Sequence, residues 1–188
     1  MTCPYQQTCG GCPYRNLDFS DYKKLKTEQF ERVLKQINQD WIKTGEAVFI
    51  ADGTRRRAEL AFKHNRGNLV LGFNESKSHE IINIESCPLL TAKINKVIPQ
   101  LRAFLNEFCN IKVSEKLKNK KFRTYNIGSG DVWLTEAVNG VDMLLEINEP
   151  LSLEHRMALC DFANGLDDIA RISVQAGKSK PETVIEKS

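Results

Sequence analysis

The chain has 188 residues, 41% of them hydrophobic, with 27 Lys and Arg against 24 Asp and Glu for a net charge of +3. That length carries a real core in about one to one and a half domains, and the near-balanced charge does not by itself announce a nucleic-acid binder. No apolar run approaches membrane length, which excludes a transmembrane helix. The opening MTCPYQQTCGG has no apolar signal segment, so a cytoplasmic location is expected.

Residues 1–17 read as a cysteine loop in which Gly10-Gly11 lets the backbone turn between thiols. Ser20 is the expected N-cap of a helix near 21–38, with Tyr22, Leu25, Phe30, Val33, Leu34 and Ile37 as its apolar stripe. From Val48 the period changes: Ala58, Leu60 and Phe62 alternate with Glu59, Ala61 and Lys63 as in a strand. Asn65-Arg66-Gly67-Asn68 signals a hairpin, and Leu69–Phe73 and Glu80–Ile84 complete an antiparallel meander. A helix follows over about 91–108, with Pro99 expected to kink or split it. Lys112–Arg123 reads as part strand and part loop. Tyr125–Ile127 and Val132–Val138 flank Gly128-Ser129-Gly130 as a hairpin, and Asn139-Gly140 turns the chain into Val141–Ile147. Ser152 caps a helix through about Phe162 with Gly165 as its stop, Ile169–Val174 is a last strand, and the polar end from Lys178 is expected to fray. These elements predict an α+β fold: a mixed, mainly antiparallel sheet with about three helices and an N-terminal cysteine loop.

The cysteines carry the chemistry. Cys3-x5-Cys9-x2-Cys12 places three thiols on one short loop, and Cys87-Pro88 supplies a fourth far downstream. A reducing cytosol favours metal ligation over disulfides. Four cysteines without a nearby histidine suit an iron–sulfur cluster or a structural zinc; the five-residue gap and the Cys-Pro step favour the cluster. Cys109 and Cys160 fall in helical apolar patterns and read as small buried hydrophobes.

Several motifs occur in order: Cys3-x5-Cys9-Gly10-Gly11-Cys12, the helix after it, Arg55-Arg56-Arg57-Ala58, Gly72-Phe73, Ser78-His79-Glu80 and Ile84-Glu85-Ser86-Cys87-Pro88-Leu89-Leu90. In these the chain resembles the RNA (uracil-5-)-methyltransferase family, which methylates uridine in ribosomal or transfer RNA, over nearly its whole length. The resemblance implies that Cys3, Cys9, Cys12 and Cys87 hold a [4Fe–4S] cluster in a domain that helps to bind RNA. The family's reaction needs S-adenosylmethionine, a thiolate that attacks C6 of uracil and a base that removes the C5 proton. It places these in a Rossmann-like domain beyond the cluster domain. No Gly-x-Gly here follows an apolar strand and opens a helix, and neither Cys109 nor Cys160 sits in a motif like the family's nucleophile. The family's small N-terminal RNA-binding barrel is not found either. No catalytic residue is therefore assigned, and a separate catalytic domain or chain is the expected partner, with RNA the other.

Under the same resemblance Arg55 and Arg57, on one face of their strand, are candidates to grip a phosphate; solvated edge charge is the plain alternative. Lys63, Arg66, Lys77 and His79, read as adjacent hairpin ends, extend that surface. Lys118, Lys120 and Lys121 belong to the densest basic run, which is a solvated loop or a contact to the RNA backbone. Phe122 and Tyr125 beside it are expected in the core. The chain divides as the cysteine loop 1–17, a helix over 18–40 that packs on a missing methyltransferase domain and is partly exposed without it, a central RNA-binding domain over 41–177, and a polar tail or linker over 178–188. The leading function is the cluster-binding and RNA-recognition portion of such an enzyme, catalytically silent alone. A stand-alone cluster- or zinc-binding RNA adaptor is the alternative. An electron carrier is disfavoured by a single cluster whose fourth ligand lies ~75 residues from the others.

Overall fold

The computed structural model describes residues 3–37, 44–116 and 121–187. Its elements in chain order are α1 (Phe19–Ile37), β1 (Arg57–Asn65), β2 (Asn68–Asn74), β3 (Ile81–Asn83), α2 (Ala92–Phe108), β4 (Val113–Lys116), β5 (Phe122–Tyr125), β6 (Ser129–Ala137), β7 (Gly140–Ile147), α3 (Leu153–Asn164), β8 (Ile169–Ala176) and β9 (Glu182–Glu186). Seven strands form one sheet in the order β3-β2-β1-β6-β7-β8-β9, and β4 and β5 pair separately. Among the strands of the described residues, only β7 and β8 run parallel, because α3 connects them; every other neighbouring pair is antiparallel. The α+β architecture read from the sequence is the architecture observed.

The sheet buries one face. Ala58, Leu60 and Phe62 of β1, Val132 and Leu134 of β6, and Met143 and Leu145 of β7 all point inward, as the strand period of two requires. The α2 residues Ile94, Val97, Ile98, Leu101, Leu105 and Phe108 recur at helical spacing and cover that face. The rings of Phe104 on α2 and Phe162 on α3 stack with centroids 4.3 Å apart, joining the two helices over the core.

The hairpin at Arg66-Gly67 forms as expected, with φ of 49° and 85°, the two successive positive values that a two-residue turn favours. Other local expectations change. Asp18, not Ser20, caps α1: its carboxylate accepts from the Asp21 amide at 2.9 Å and from the Ser20 hydroxyl at 2.7 Å. α2 runs through Pro99 as one helix, since Pro99 is on the exposed side, where water can serve the carbonyl left without an N–H partner. Ser129 and Gly130 are part of β6, not a hairpin tip, and Tyr125 pairs with β4 instead. A Cβ at Gly130 would lie 2.2 Å from the Glu146 carbonyl oxygen, so glycine here marks a close approach within the sheet. Gly140 already pairs with Ala137, which leaves Val138-Asn139 as the turn. The polar end expected to fray contributes β9, paired to β8. Cys109 is fully buried, as read, whereas Cys160 is half-buried.

Candidate metal centre and nucleic-acid surface

The N-terminal loop is pinned to the β2–β3 connection by backbone hydrogen bonds. The Gly10 amide donates to the Asn74 carbonyl at 3.0 Å and the Ser76 amide to the Thr8 carbonyl at 3.0 Å, and Cys9 bridges Glu75. Gly10 and Gly11 do not adopt left-handed φ. The expected turn forms here without it, and a Cβ on Gly10 would sit 3.0 Å from the Asn74 carbonyl oxygen, so glycine also lets the loop lie flat on the hairpin. Tyr5 reaches the other segment, its hydroxyl accepting from the Glu85 amide at 3.0 Å.

The downstream thiol is held by α2. The Cys87 amide donates to Asn95 Oδ1 at 2.8 Å, and Asn95 Nδ2 donates to the carbonyls of Cys87 and Leu90, each at 3.0 Å. About two helical turns further along the same helix, the Arg102 guanidinium donates to Asn83 Oδ1 and to the Ile84 carbonyl, fixing the strand exit that leads to Cys87. Burial of this guanidinium lowers its pKa, the cost of a charge placed against the core.

These supports bring Cys3, Cys9, Cys12 and Cys87 to the wall of one cavity, half-buried and not joined by disulfides. Among the described residues, the cavity wall also carries Arg15 and Arg55 and contains no carboxylate or imidazole. Burial, and then the neighbouring Cys87, Cys9 and Cys3, push the Cys12 thiol up; Arg15 acts against them. Burial also raises Cys87, opposed by the nearby backbone amides of Leu89 and Leu90. The Gly11 amide donates to the Cys9 sulfur at 3.4 Å. Four soft donors that repel one another as thiolates, with the Gly11 amide on one sulfur and the Arg15 guanidinium held beside them by Asp52, make a donor set suited to a thiophilic metal centre. Among the described residues, no three such side chains are gathered as a site for a single ion.

The candidate RNA-binding residues divide into two groups. Arg55 forms a bridge with Leu90 and lines the thiol cavity, while Arg57 opens β1 opposite Thr135. Lys77 follows β2 and lines a groove with Gly10, Gly11, Glu59 and Asp131, so it belongs with His79 at the cysteine end of the sheet. Arg66 sits at the opposite end of β2, and Lys63 on β1 pairs with Val70 between the two ends. Six residue steps from Asn68 to Asn74 separate the ends by about 20 Å. The four residues read as adjacent hairpin ends therefore do not form one patch, because antiparallel pairing returns Lys77 beside the start of β1. Lys121 precedes β5, and Lys118 and Lys120 lie outside the described residues. Phe122 is 70% exposed, contrary to the core position expected, and Arg123 is paired with Glu149 at 2.6 Å.

Sequence reasoning missed the acids beside this surface. Glu59, Asp131 and Glu146 share the open face of the sheet. Burial first, and then the neighbouring carboxylates, raise the pKa of Asp131 and Glu59. Asp131 and Glu146 are direct cross-strand partners, which register alone would reveal and sequence spacing does not. Asn95, Arg102 and Tyr5 were missed as well, since their partners are distant backbone groups. The α1 stripe buries no residue: Phe30, Val33 and Ile37 are 54%, 53% and 48% exposed. Among the described residues, no helix is long and apolar enough to cross a membrane.

No protein-family model matches the chain. It is 32% identical over 168 residues to the 23S rRNA (uracil(1939)-C(5))-methyltransferase of Shewanella halifaxensis, covering 86% of this chain and 34% of that protein. It is 29% identical over 178 residues to an uncharacterised RNA methyltransferase of Zymomonas mobilis, covering 93% of this chain and 40% of the relative. Its fold resembles that of the crystallised Pyrococcus abyssi tRNA (uracil-54, C5)-methyltransferase in complex with S-adenosyl-L-homocysteine, with a TM-score of 0.58, 21% identity and coverage of 96% of this chain and 39% of that one. The chain thus spans about a third of the length of the curated relatives it matches.

Proposed function

We propose that this chain, a relative of the RNA (uracil-5-)-methyltransferases over 86% of its length, is the cluster-binding and RNA-recognition portion of an S-adenosylmethionine-dependent RNA uridine C5-methyltransferase of the cytoplasm. The observation that carries the reading is the meeting of Cys3, Cys9, Cys12 and Cys87 on one cavity from two distant segments. These four would ligate a [4Fe–4S] cluster, which when bound supplies four iron–thiolate bonds that fasten the N-terminal loop to the end of the meander. Arg15 and Arg55 would offset part of the thiolate charge, and the amides of Gly11, Leu89 and Leu90 would stabilise the sulfurs.

RNA would meet the cysteine end of the sheet through Arg55, Arg57, Lys77 and His79, with Lys63 between the two ends, Arg66 at the far end and Lys118, Lys120 and Lys121 as further backbone contacts. The acids of the open face would turn phosphates away from the sheet centre. The methyl-donor site and nucleophilic cysteine would belong to a separate domain or chain. Cys109 does not suit that role, because burial pushes its thiol up to about 12 and the thiol form is a poor nucleophile. The exposed stripe of α1 would pack on that missing portion.

The test is an anaerobic absorbance spectrum of the purified chain with iron, sulfide and zinc measured on the same sample. A broad band near ~400 nm with about four irons per chain is expected. Stoichiometric zinc without a visible band would replace the cluster by a structural zinc and put the RNA-adaptor reading first. For RNA, Arg57→Ala or Lys77→Ala is expected to weaken binding about equally across sequences and reduce the salt slope by about 1; an unchanged slope removes that residue from the interface. Methyl incorporation by the chain alone would overturn the assignment of catalysis elsewhere.

A further inference from the structure

We infer that Asn95 is the positioning residue of the Cys87 side of the thiol centre, acting through the backbone of the Cys87–Leu90 turn; the inference rests on reading that centre as metal-holding. Asn95 uses its one amide oxygen and both amide hydrogens at a single place. It accepts from the Cys87 amide at 2.8 Å and donates to the carbonyls of Cys87 and Leu90, each at 3.0 Å. The turn between them is closed by the Leu90 amide on the Cys87 carbonyl at 3.1 Å, and Pro88 sets its second position, where proline favours a β-turn. Both ends of the turn are therefore tied to α2. What the tie governs is the placement of the Cys87 backbone, and through it of the Cys87 sulfur on the wall of the thiol cavity.

Asparagine is a poor residue for a helix interior, because its amide competes for backbone groups. Here that tendency is put to use: the side chain leaves its own helix and satisfies the turn. Asn95 is absent from the wall of the thiol cavity, so it would not touch the metal and acts only through Cys87. Hydrogen bonds to ligating sulfurs and the groups that orient them are established levers on thiolate centres.

The experiment compares metal release from the wild-type chain, Asn95→Ala and Asn95→Asp, purified anaerobically with their native metal. Release to a chelator is followed well below the melting temperature of each. Asn95→Ala is expected to release metal about 10-fold faster or more, the low end of the 10–100-fold that outer-shell partners contribute to metal affinity. Should the alanine variant fail to fold, Asn95→Asp carries the same comparison; it keeps the acceptor for the Cys87 amide but loses both donated bonds. Val97→Ala, buried on the same helix but about 200° around it from Asn95, controls for a general loss of stability. It is expected to melt lower than wild type yet release metal at the wild-type rate. Release from both Asn95 variants at the wild-type rate, or equal acceleration by Val97→Ala, would overturn the assignment. A wild-type chain that carries no metal overturns the metal-centre reading and this inference with it. A wild-type chain that carries metal, with unaffected Asn95 variants, overturns this inference alone.

Discussion

Replacing Arg102 by methionine tests how the strand exit before Cys87 is held. Methionine keeps the apolar stem and much of the volume but removes every donor. The Ile84 carbonyl would lose the guanidinium, and Ile84 is 1% exposed, so water cannot readily replace it. An orphaned buried carbonyl costs about 1–3 kcal/mol, and a hydrogen bond from a charged donor, such as that to Asn83 Oδ1, contributes about 1.5–3 kcal/mol. The Leu71 carbonyl adds little, since it lies 3.3 Å from the guanidinium and keeps the Ile84 amide at 3.1 Å. Against these stands the desolvation of the guanidinium, which methionine relieves. The balance is a loss of about 2–3 kcal/mol, or about 4–12 °C in melting temperature for a chain of this size. Circular dichroism melts of wild type, Arg102→Met and Arg102→Lys supply the measurement. Lysine keeps the charge without the planar fork and is expected to fall between the other two. A methionine variant melting within about 2 °C of wild type would show that the buried carbonyl finds another partner, refuting the reasoning.

Gly72→Ala is expected to destabilise the chain by about 3 kcal/mol or more, read from urea midpoints, because the new Cβ would lie 1.9 Å from the Ile82 carbonyl oxygen and β2 and β3 would have to separate. A midpoint unchanged from wild type would mean the two strands part at no cost. Burial lowers the pKa of His155, whose Nδ1 accepts from the Ser152 amide at 3.3 Å, with Glu154 acting in the opposite direction. Its neutral form is favoured in the fold. The contribution to stability is thus present above the unfolded value of about 6.5 and lost as pH falls through the lower folded value. Urea midpoints at pH 7.5 and 5.5 should accordingly differ more for wild type than for His155→Gln; equal differences would remove His155 from the acid response. Replacing Phe30 and Val33 on α1 by serine is expected to change stability by no more than about 0.5 kcal/mol per site while reducing self-association in light scattering, because both side chains are over half exposed. A large fall in melting temperature would place this stripe in the core instead.

The helices, the meander and the four-cysteine pattern were legible in the sequence because each rests on local periodicity or on residue chemistry. Ala58, Leu60 and Phe62 announce a strand wherever that strand pairs, and Ile94, Val97, Ile98 and Leu101 announce a helix face before its target is known. Cys3, Cys9 and Cys12 lie on one loop, so no folding was needed to see that three thiols belong together. What the tertiary structure decided is which distant backbone each of these meets. Antiparallel return put Lys77 at the cysteine end and Arg66 at the other, dividing a basic set that looks continuous along the chain. Cross-strand register set Asp131 beside Glu146, and a strand pairing at the chain's polar end came from the free edge of β8 more than from the local residues. Asn95 and Arg102 hold the Cys87 segment through main-chain carbonyls, which every residue possesses and no sequence motif distinguishes. Periodicity states which side of an element is apolar; only packing states what lies against it, and that decides how a thiol, an amide and a guanidinium come to act on one another.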